Sequence, residues 1–310
     1  MKKCISIDIG GTYVKYGMVL ENGDITDQGK QATTKNGATS LLEQIKSIIA
    51  NLLKSNPEVT FVGISSAGQI DSEQGIVLFA TDNLPGWSGV RLKKIIEETF
   101  SVTCHVENDV NAAALGELHF GVHQLQDFLC LTYGTGIGGS IVQNKKLVAG
   151  NHFSAGEFGH IIIEKNGLPC NCGNRGCYEQ YASVSALLMK ANVQLKTENF
   201  SPDLGAEWLF LNYYENLQVK ELLDDYFYDV SLGLANLIHI FNPSSIVLGG
   251  AISKNSLFIT RVRELTFQNI MPSFQKDLQI VAASLHNDAS ILGAAFPFLR
   301  GAEISCNSQL

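Results

Sequence analysis

A short stretch of the sequence carries three thiol groups close together. Residues 167 to 180 read GLPCNCGNRGCYEQ, so Cys170, Cys172 and Cys177 fall within eight positions of a chain that has seven cysteines in all. Thiols at this spacing can hold a metal ion, form a disulfide knot or act as a redox pair. They can also lie in a glycine-rich loop without any chemical role.

The composition of the whole chain narrows these alternatives. Apolar residues make up 45% of 310 residues, enough for a sizeable core, and the net charge is −8. An acidic chain without a run of Lys or Arg is poorly suited to nucleic acid or an anionic membrane surface. The N-terminus, MKKCISIDIGG, enters a strand pattern at once and is not a signal peptide. No apolar run reaches the roughly 18 residues of a membrane span. We therefore predict a cytoplasmic protein with no nucleic-acid or membrane partner.

This setting favours a metal site over a disulfide. Cytoplasmic thiols stay reduced, and Cys170 and Cys172, with one residue between them, are awkwardly placed to pair. Three thiolates need a fourth ligand to complete a tetrahedral zinc site, and the nearest histidine upstream is His160. We predict a zinc ion bound by His160, Cys170, Cys172 and Cys177. Because four protein ligands leave no open position for water, the zinc would be structural.

Three glycine-rich turns follow apolar strands: DIGGT at residues 8–12, GTGIGG at 134–139 and LGG at 248–250. Glycine permits left-handed backbone angles and lets N–H groups approach a ligand with no Cβ in the way. Successive N–H groups form an anion site that suits phosphate. None of the turns matches a Walker-type loop, and GTGIGG leads to a second strand, unlike a Rossmann fingerprint. Each turn alone is weak evidence, since such turns are common between strands.

A carboxylate lies at a predicted strand-to-helix junction, where ENDVN places Asp109. Such a carboxylate can cap the helix, which is a common structural role. It can also act as a general base that takes a proton from an attacking hydroxyl. The sequence alone leaves both interpretations of Asp109 open.

Alternating strands and helices must position these residues, which predicts an α/β fold. The sequence of apolar strand, glycine turn and second strand occurs at residues 3–20 and again at 127–148, which suggests two lobes of related build. One helix is predicted over about 90–99, a second begins at about residue 109, and a third ends just before Pro243. We predict an N-terminal lobe of residues 1–117, joined by a C-terminal helix at 288–300. Residues 118–287 would form the second lobe, with a zinc loop at 160–179.

The order of the motifs DIGGT, ENDVNAAALGE, GTGIGG, GEFGHI, CNCGNRGCYE and IVLGG resembles the ROK family of sugar kinases and sugar-responsive repressors. The resemblance covers residues 4 to 300. Its most specific part is E-x-G-H followed by C-x-C-G-x-x-G-C-x-E, which runs from Glu157 to Glu179. The family implies a two-lobed α/β fold of the actin-like, ribonuclease H-like ATPases with an interlobe cleft. It also implies ATP, Mg²⁺ and structural Zn²⁺ as cofactors, and a homodimer.

The resemblance assigns roles to individual residues. Asp109 would be the catalytic base, and Asp8 would hold magnesium through water. His160 would place one ring nitrogen on zinc and turn the other toward the sugar. The residues implied for ATP binding are Asp8, Gly10, Gly11, Thr12, Gly134, Thr135, Gly136, Gly249 and Gly250. Those implied for sugar binding are Asn83, Asn108, Asp109, Glu157, His160 and Glu179.

The activity implied is that of an ATP-dependent sugar kinase like the bacterial glucokinases, N-acetylmannosamine kinases and β-glucoside kinases of the family. It would transfer the γ-phosphoryl group to a hexose hydroxyl, the 6-OH, of glucose, an N-acetylhexosamine such as N-acetylmannosamine, or a β-glucoside. The alternative is a sugar-sensing repressor. Such repressors carry a helix-turn-helix domain ahead of the first glycine turn, whereas seven residues precede Asp8 here. Trp87, in the NLPGW loop expected near the sugar, could stack on a ring or simply pack.

Overall fold

The computed structural model describes residues 2–195 and 200–300. These residues form two compact units. Unit 1 takes its described residues from Met1–Gln126, Ile141–Ala155 and Asn287–Leu310, and unit 2 consists of Asp127–Ser140 and Gly156–His286. The lobe boundaries drawn from the sequence, 1–117 and 118–287, stay a prediction. None of the helices in the described part of the chain is long and apolar enough to cross a membrane.

Strands and helices alternate along the chain, as the sequence predicts. The strands are β1 (Lys3–Ile9), β2 (Tyr13–Leu20), β3 (Ile25–Ala32), β4 (Phe61–Ser66), β5 (Gln69–Asp71), β6 (Ile76–Phe79), β7 (Thr103–Asn108), β8 (Phe128–Tyr133), β9 (Ile137–Gln143), β10 (Lys146–Leu147), β11 (Ser245–Gly249) and β12 (Gln279–Ala282). The helices are α1 (Ala38–Ser55), α2 (Leu92–Phe100), α3 (Asp109–Phe120), α4 (Glu179–Ala182), α5 (Val184–Gln194), α6 (Gly205–Leu211), α7 (Leu217–Phe241), α8 (Ser256–Asn269), α9 (Pro272–Gln275) and α10 (Ala289–Arg300).

The main sheet of unit 1 has the order β3-β2-β1-β4-β7. Strands β1 to β3 pair antiparallel through hairpins, whereas β4 runs parallel to β1 and β7 runs parallel to β4. Central strand β1 is buried along almost its whole length, as expected for a strand covered on both faces. Because β1, β4 and β7 are parallel, their carboxyl ends meet at one edge of the sheet, where functional side chains are expected.

Helix α10 packs on this sheet and against α3 through small residues. A Cβ on Gly293 would lie 1.7 Å from the backbone oxygen of Ala112, and one on Gly116 would lie 2.2 Å from that of Ala289. Real side chains cannot approach a backbone so closely, so the helix crossing requires glycine at both positions. The predicted helix at 288–300 thus anchors α3, which begins at Asp109, within unit 1.

The sheet of unit 2 has the order β10-β9-β8-β11-β12, with β8, β11 and β12 parallel. This order corresponds strand for strand to that of the first sheet, so the repeated hairpin in the sequence reflects a repeated sheet. Helix α7 is the longest at 25 residues and ends before Pro243, as predicted, with Asn242 in a left-handed cap. The stretch from 184 to 220, which had no clear sequence pattern, contains α5, α6 and the start of α7.

Candidate functional site

The carboxyl edge of the first sheet brings Asp8 and Asp109 together. Asp8 lies opposite Ser65 in the parallel pairing of β1 with β4 and accepts a hydrogen bond of 2.8 Å from the Ser65 hydroxyl. Lys15, its partner on the antiparallel strand β2, has its Nζ 3.6 Å from Asp8 Oδ2. Burial raises the pKa of the Asp8 carboxyl, and the Lys15 charge opposes that shift. The result is a buried acidic group at the strand end.

Asp109 is the first residue of α3, and the residue before it, Asn108, is the helix cap. Asn108 Oδ1 accepts hydrogen bonds from the N–H groups of Val110 and Asn111 at 2.9 and 3.0 Å. The sequence left the Asp109 carboxylate open as the helix cap, and the structure corrects that interpretation because Asn108 occupies the cap position. The Asp109 side chain is therefore not required to start the helix.

Burial and charge make the Asp109 carboxyl unusually basic. Its pKa is raised to about 7, mainly because partial burial reduces the hydration of the carboxylate and secondly because the Asp8 charge lies nearby. Hydrogen bonds to its Oδ1 from Asn108 Nδ2 at 2.9 Å and Val110 N–H at 3.0 Å act in the other direction. A carboxyl with a pKa near the working pH can both accept and hold a proton, which is what general-base chemistry needs.

The Asn108 side chain uses its hydrogen-bonding groups to hold this arrangement. Its Oδ1 caps α3, and its amide nitrogen donates to Asp109 Oδ1 and, at 2.9 Å, to the backbone oxygen of Gly68. An amide has two N–H donors and one oxygen with two lone pairs, so all of them are engaged. The predicted contact between Asn108 and sugar stays a prediction, and the structure adds a positioning role for Asn108.

Glu107 is a buried carboxyl next to the site that sequence analysis did not single out. The residue is 4% exposed, and its side chain accepts hydrogen bonds from Asn108 N–H at 2.9 Å and Asn111 Nδ2 at 3.2 Å. Burial raises the pKa of Glu107 to about 7. The available signal was a charged residue near the end of the otherwise apolar strand TCHVEN. Glu107 lies at the junction between β7 and α3, in register with Ser65, which is itself in register with Asp8.

The first glycine turn presents unpaired N–H groups. Gly10 N–H donates to Tyr13 O at 3.0 Å, and Thr33 Oγ1 donates to Gly10 O at 2.7 Å. Within the described residues, the N–H groups of Gly11 and Thr12 have no hydrogen-bond acceptor. Neither Gly10 nor Gly11 has a left-handed backbone. Glycine is therefore not needed here for unusual dihedral angles; the lack of a Cβ instead lets a ligand come close to the backbone. Two free N–H groups at a strand end fit the predicted phosphate contact.

The loop after β6 places Asn83 beside this turn and buries Trp87. A Cβ on Gly11 would lie 3.3 Å from Asn83 Cβ. Trp87 is 0% exposed, and its indole N–H donates to Ser66 Oγ at 3.1 Å. Of the two interpretations of Trp87, packing is therefore confirmed, and the ring anchors the loop that carries Asn83.

In unit 2 the second and third glycine turns meet at the edge of one sheet. The turn at 134–136 follows β8, and Gly249 pairs with Thr132 where β11 runs beside β8. Gly250 has a φ of 87°, and a Cβ there would lie 2.1 Å from Tyr133 O, so only glycine fits. Gly134 and Thr135 are exposed. The structure thus brings Gly134, Thr135, Gly136, Gly249 and Gly250 to one place, as their predicted role in ATP binding requires.

The four predicted metal ligands form one cluster in unit 2. Their ligand atoms all lie within 4.8 Å of one another. Cys172 Sγ is 3.6 Å from Cys177 Sγ, and Cys170 Sγ is 3.7 Å from His160 Nδ1. Zinc bonds of roughly 2.3 Å to sulfur and 2.0 Å to nitrogen give tetrahedral edges of about 3.5–3.8 Å. The cluster fits a zinc ion, and its sulfur spacing excludes a disulfide.

Two glutamates flank the histidine of this cluster. Glu157 Oε2 lies 4.0 Å from His160 Nε2, and Glu179 Oε1 lies 3.9 Å from His160 Nδ1. Glu179 Oε1 also accepts from the Cys170 thiol at 3.4 Å. The imidazole therefore turns Nδ1 toward the thiols and Nε2 toward Glu157. This orientation matches the predicted double role of His160, with one nitrogen for metal and one for substrate.

Comparison with known proteins gives a consistent result. A sequence profile of the ROK family matches residues 4–300. The glucokinase of Thermotoga maritima is 35% identical over 306 residues, covering 94% of this chain and 96% of that protein. The β-glucoside kinase of Listeria innocua is 32% identical over 301 residues, covering 96% and 98%. A ROK family glucokinase from Streptomyces griseus, crystallised with glucose and AMPPNP, matches with a TM-score of 0.80 at 33% identity, covering 95% of this chain and 98% of that chain.

Repressors are also among the similar proteins, as the motif order implies. The structural likeness to the sugar kinases confirms the predicted fold class, the two-lobed α/β fold of the actin-like ATPases.

Proposed function

Because the chain belongs to the ROK family, we propose that it is an ATP-dependent sugar kinase that uses Asp109 as its general base. The acceptor would be the 6-hydroxyl of glucose, of an N-acetylhexosamine such as N-acetylmannosamine, or of a β-glucoside. The observation that carries this proposal is the Asp109 carboxyl at the start of α3, which has a pKa of about 7 and is not needed as a helix cap.

The reaction follows from this placement. The sugar hydroxyl donates a hydrogen bond to Asp109, and its oxygen attacks the γ-phosphorus while the bond to the β-phosphate oxygen breaks. Asp109 takes the hydroxyl proton, and ADP leaves with the bridging oxygen. Phosphoryl transfer depends mostly on aligning the attacking oxygen and on stabilising charge. The free N–H groups of Gly11 and Thr12 would bind phosphate oxygen, as would the turn at 134–136.

Asp8 is the residue that would hold magnesium. Mg²⁺ prefers carboxylate oxygen and retains several waters, and a buried carboxylate at the strand end suits such outer-shell binding. The bound ion would neutralise charge on the phosphates. Ser65 and Lys15 keep the Asp8 side chain in one orientation.

Sugar recognition would fall to Asn83, Glu157, His160 and Glu179, and Asn108 would join them by exchanging its bond to Gly68 O for one to a sugar hydroxyl. Short amides and carboxylates read paired hydroxyls well because each accepts or donates in a defined direction. The zinc, held by His160 and the three cysteines, would fix the loop on which Glu157 and Glu179 lie. A homodimer, which the family resemblance implies, and a cytoplasmic location, which the sequence composition predicts, complete the proposal.

The test is ADP release in a coupled assay with a panel of glucose, N-acetylmannosamine, N-acetylglucosamine and β-glucosides, with the phosphorylated position of the product found by NMR. We expect sugar-dependent ADP release with at least one acceptor, phosphorylated at O6. Sugar binding without any ADP release would support the repressor alternative and contradict the kinase.

Glu157→Gln is expected to raise the KM for the sugar about ten- to a hundredfold and leave the KM for ATP nearly unchanged. A hydrogen bond to a charged group is worth roughly 1.5–3 kcal/mol, and the substitution removes the charge but keeps the shape. The matched control is Glu164→Gln, an exposed glutamate farther along the same segment. A change confined to the KM for ATP would show that Glu157 does not contact sugar.

The pH dependence of kcat/KM for the sugar reports ionisation of the free enzyme. Asp109 must be unprotonated to act as a base, and its pKa is raised to about 7. We therefore expect kcat/KM to rise with pH through about 7 and to level off above it. Glu107 also has a pKa of about 7, so Glu107→Gln is the control. Glutamine can accept the same two hydrogen bonds, and the variant should keep the profile. Loss of the pH dependence in this variant would assign the titration to Glu107 instead.

A further inference from the structure

An exposed lysine joins the first glycine turn to the loop that carries Asn83. The Lys35 ammonium donates hydrogen bonds to the backbone oxygens of Gly11 and Asn83. The acceptors are separated from Lys35 by 24 and 48 positions in the sequence. One side chain thus contacts the turn proposed to bind phosphate and the loop proposed to bind sugar.

The segment that carries Lys35 is itself fixed to the glycine turn. Thr33 Oγ1 donates to Gly10 O at 2.7 Å, and Thr33 N–H donates to Thr12 O at 2.9 Å. On the other side, Gln44 of α1 accepts from Thr34 N–H at 3.1 Å and donates to Ala32 O at 2.8 Å. These hydrogen bonds fix residues 32–34 to the glycine turn and to α1. The backbone from which the Lys35 side chain extends is therefore held in place.

The loop that carries Asn83 is anchored at Trp87, which follows Asn83 in the chain, and not at Asn83 itself. Trp87 is buried, and its backbone N–H donates to Leu84 O at 3.1 Å. Asn83 itself is exposed, and the contact with Lys35 holds its backbone. In the part of the chain that the structure describes, Lys35 has no carboxylate partner. Its ammonium group is instead hydrogen-bonded to the backbone oxygens of Gly11 and Asn83.

We propose that Lys35 is a positioning residue that couples nucleotide binding at the glycine turn to sugar binding at the Asn83 loop. The inference rests on the proposed kinase function. Ordering the turn around a nucleotide also orders the Asn83 loop through Lys35, so that the sugar meets a loop whose freedom is already reduced. Coupling between two binding equilibria is reciprocal, so the sugar tightens nucleotide binding by the same factor.

The experiment is calorimetric titration of the purified protein with its best acceptor sugar, with and without a nonhydrolysable ATP analogue. The coupling factor is the dissociation constant of the sugar without nucleotide divided by that with nucleotide, and it should be about ten or more in the parent protein. Lys35→Met should lower that factor about three- to tenfold, the range for hydrogen bonds from an exposed charged donor. Lys35→Arg, which keeps two donors, should restore most of it. The matched control is Lys46→Met, a surface lysine of α1 paired with Glu43, and it should keep the parent factor.

A parent coupling factor of one would overturn the inference, as would an unchanged factor in Lys35→Met. If Lys35→Met binds nucleotide more weakly but keeps the coupling factor, Lys35 is a simple phosphate contact and the inference is also overturned. If Lys35→Met does not fold, hydrogen exchange of residues 81–86 in Lys35→Arg and the parent supplies the readout. Nucleotide should then slow exchange of that loop in both proteins. No slowing in the parent would also overturn the inference. A parent protein that phosphorylates no sugar would defeat the proposed function, whereas an active parent without coupling would defeat only this inference.

Discussion

Asp109→Asn is expected to cut kcat at least about a hundredfold while sugar affinity changes little. A lost general base costs roughly that factor or more. The fold should be preserved because Asn108 caps α3 and an asparagine oxygen can still accept from Asn108 Nδ2 and Val110 N–H. Steady-state kinetics and sugar binding by calorimetry measure the two effects separately.

Stability provides a second readout for the same variant. The folded-state pKa of Asp109 lies above its unfolded value, so ionisation of Asp109 costs folding free energy as the pH rises from about 4 to 7. Asp109→Asn lacks this cost. It should be at least as stable as the parent at pH 8, and its advantage should shrink on acidification. The matched control is Asp24→Asn, in the turn between β2 and β3, which should leave kcat unchanged. Turnover of Asp109→Asn within a few-fold of the parent would leave the base unidentified.

Removal of the proposed zinc is expected to lower the free energy of unfolding by several kcal/mol, since a structural metal site and its fold form together. Purified protein should contain about one zinc per chain. Cys172→Ser is the most informative variant because the Cys172 side chain is exposed. In a loop without metal, replacing an exposed thiol by a hydroxyl would cost little. In a zinc site the same change removes a ligand, so the metal content and the melting temperature should both fall.

Asn171→Ser is the matched control for the zinc experiment. Asn171 is an exposed neighbour in the same loop and is not one of the four clustered ligands. This variant should keep its zinc and most of its stability. Purified parent protein that has no zinc, yet full kinase activity, would contradict the site.

The metal cluster and the glycine turns are the parts of the site that could be predicted from the sequence. Three of the four metal ligands lie within eight positions, and the fourth, His160, is ten residues before Cys170. Ligands that are close in the sequence can meet in only a few geometries, because the chain segment between them is short. Their spacing alone therefore indicates a metal site. The glycine turns were also visible because each directly follows an apolar strand. The motif order then identified the family, and the family profile covers residues 4–300.

The tertiary structure decided what individual side chains do. The sequence does not show that Asn108 caps α3 in place of Asp109, that Glu107 is buried next to them, or that Trp87 packs internally. It also gave no signal for Lys35, whose two acceptors are distant in the chain. Local spacing determines which residues can meet within one loop. Contacts between segments depend on strand register and packing, and the burial that raises the pKa of Asp109 exists only after the sheet and α3 have assembled.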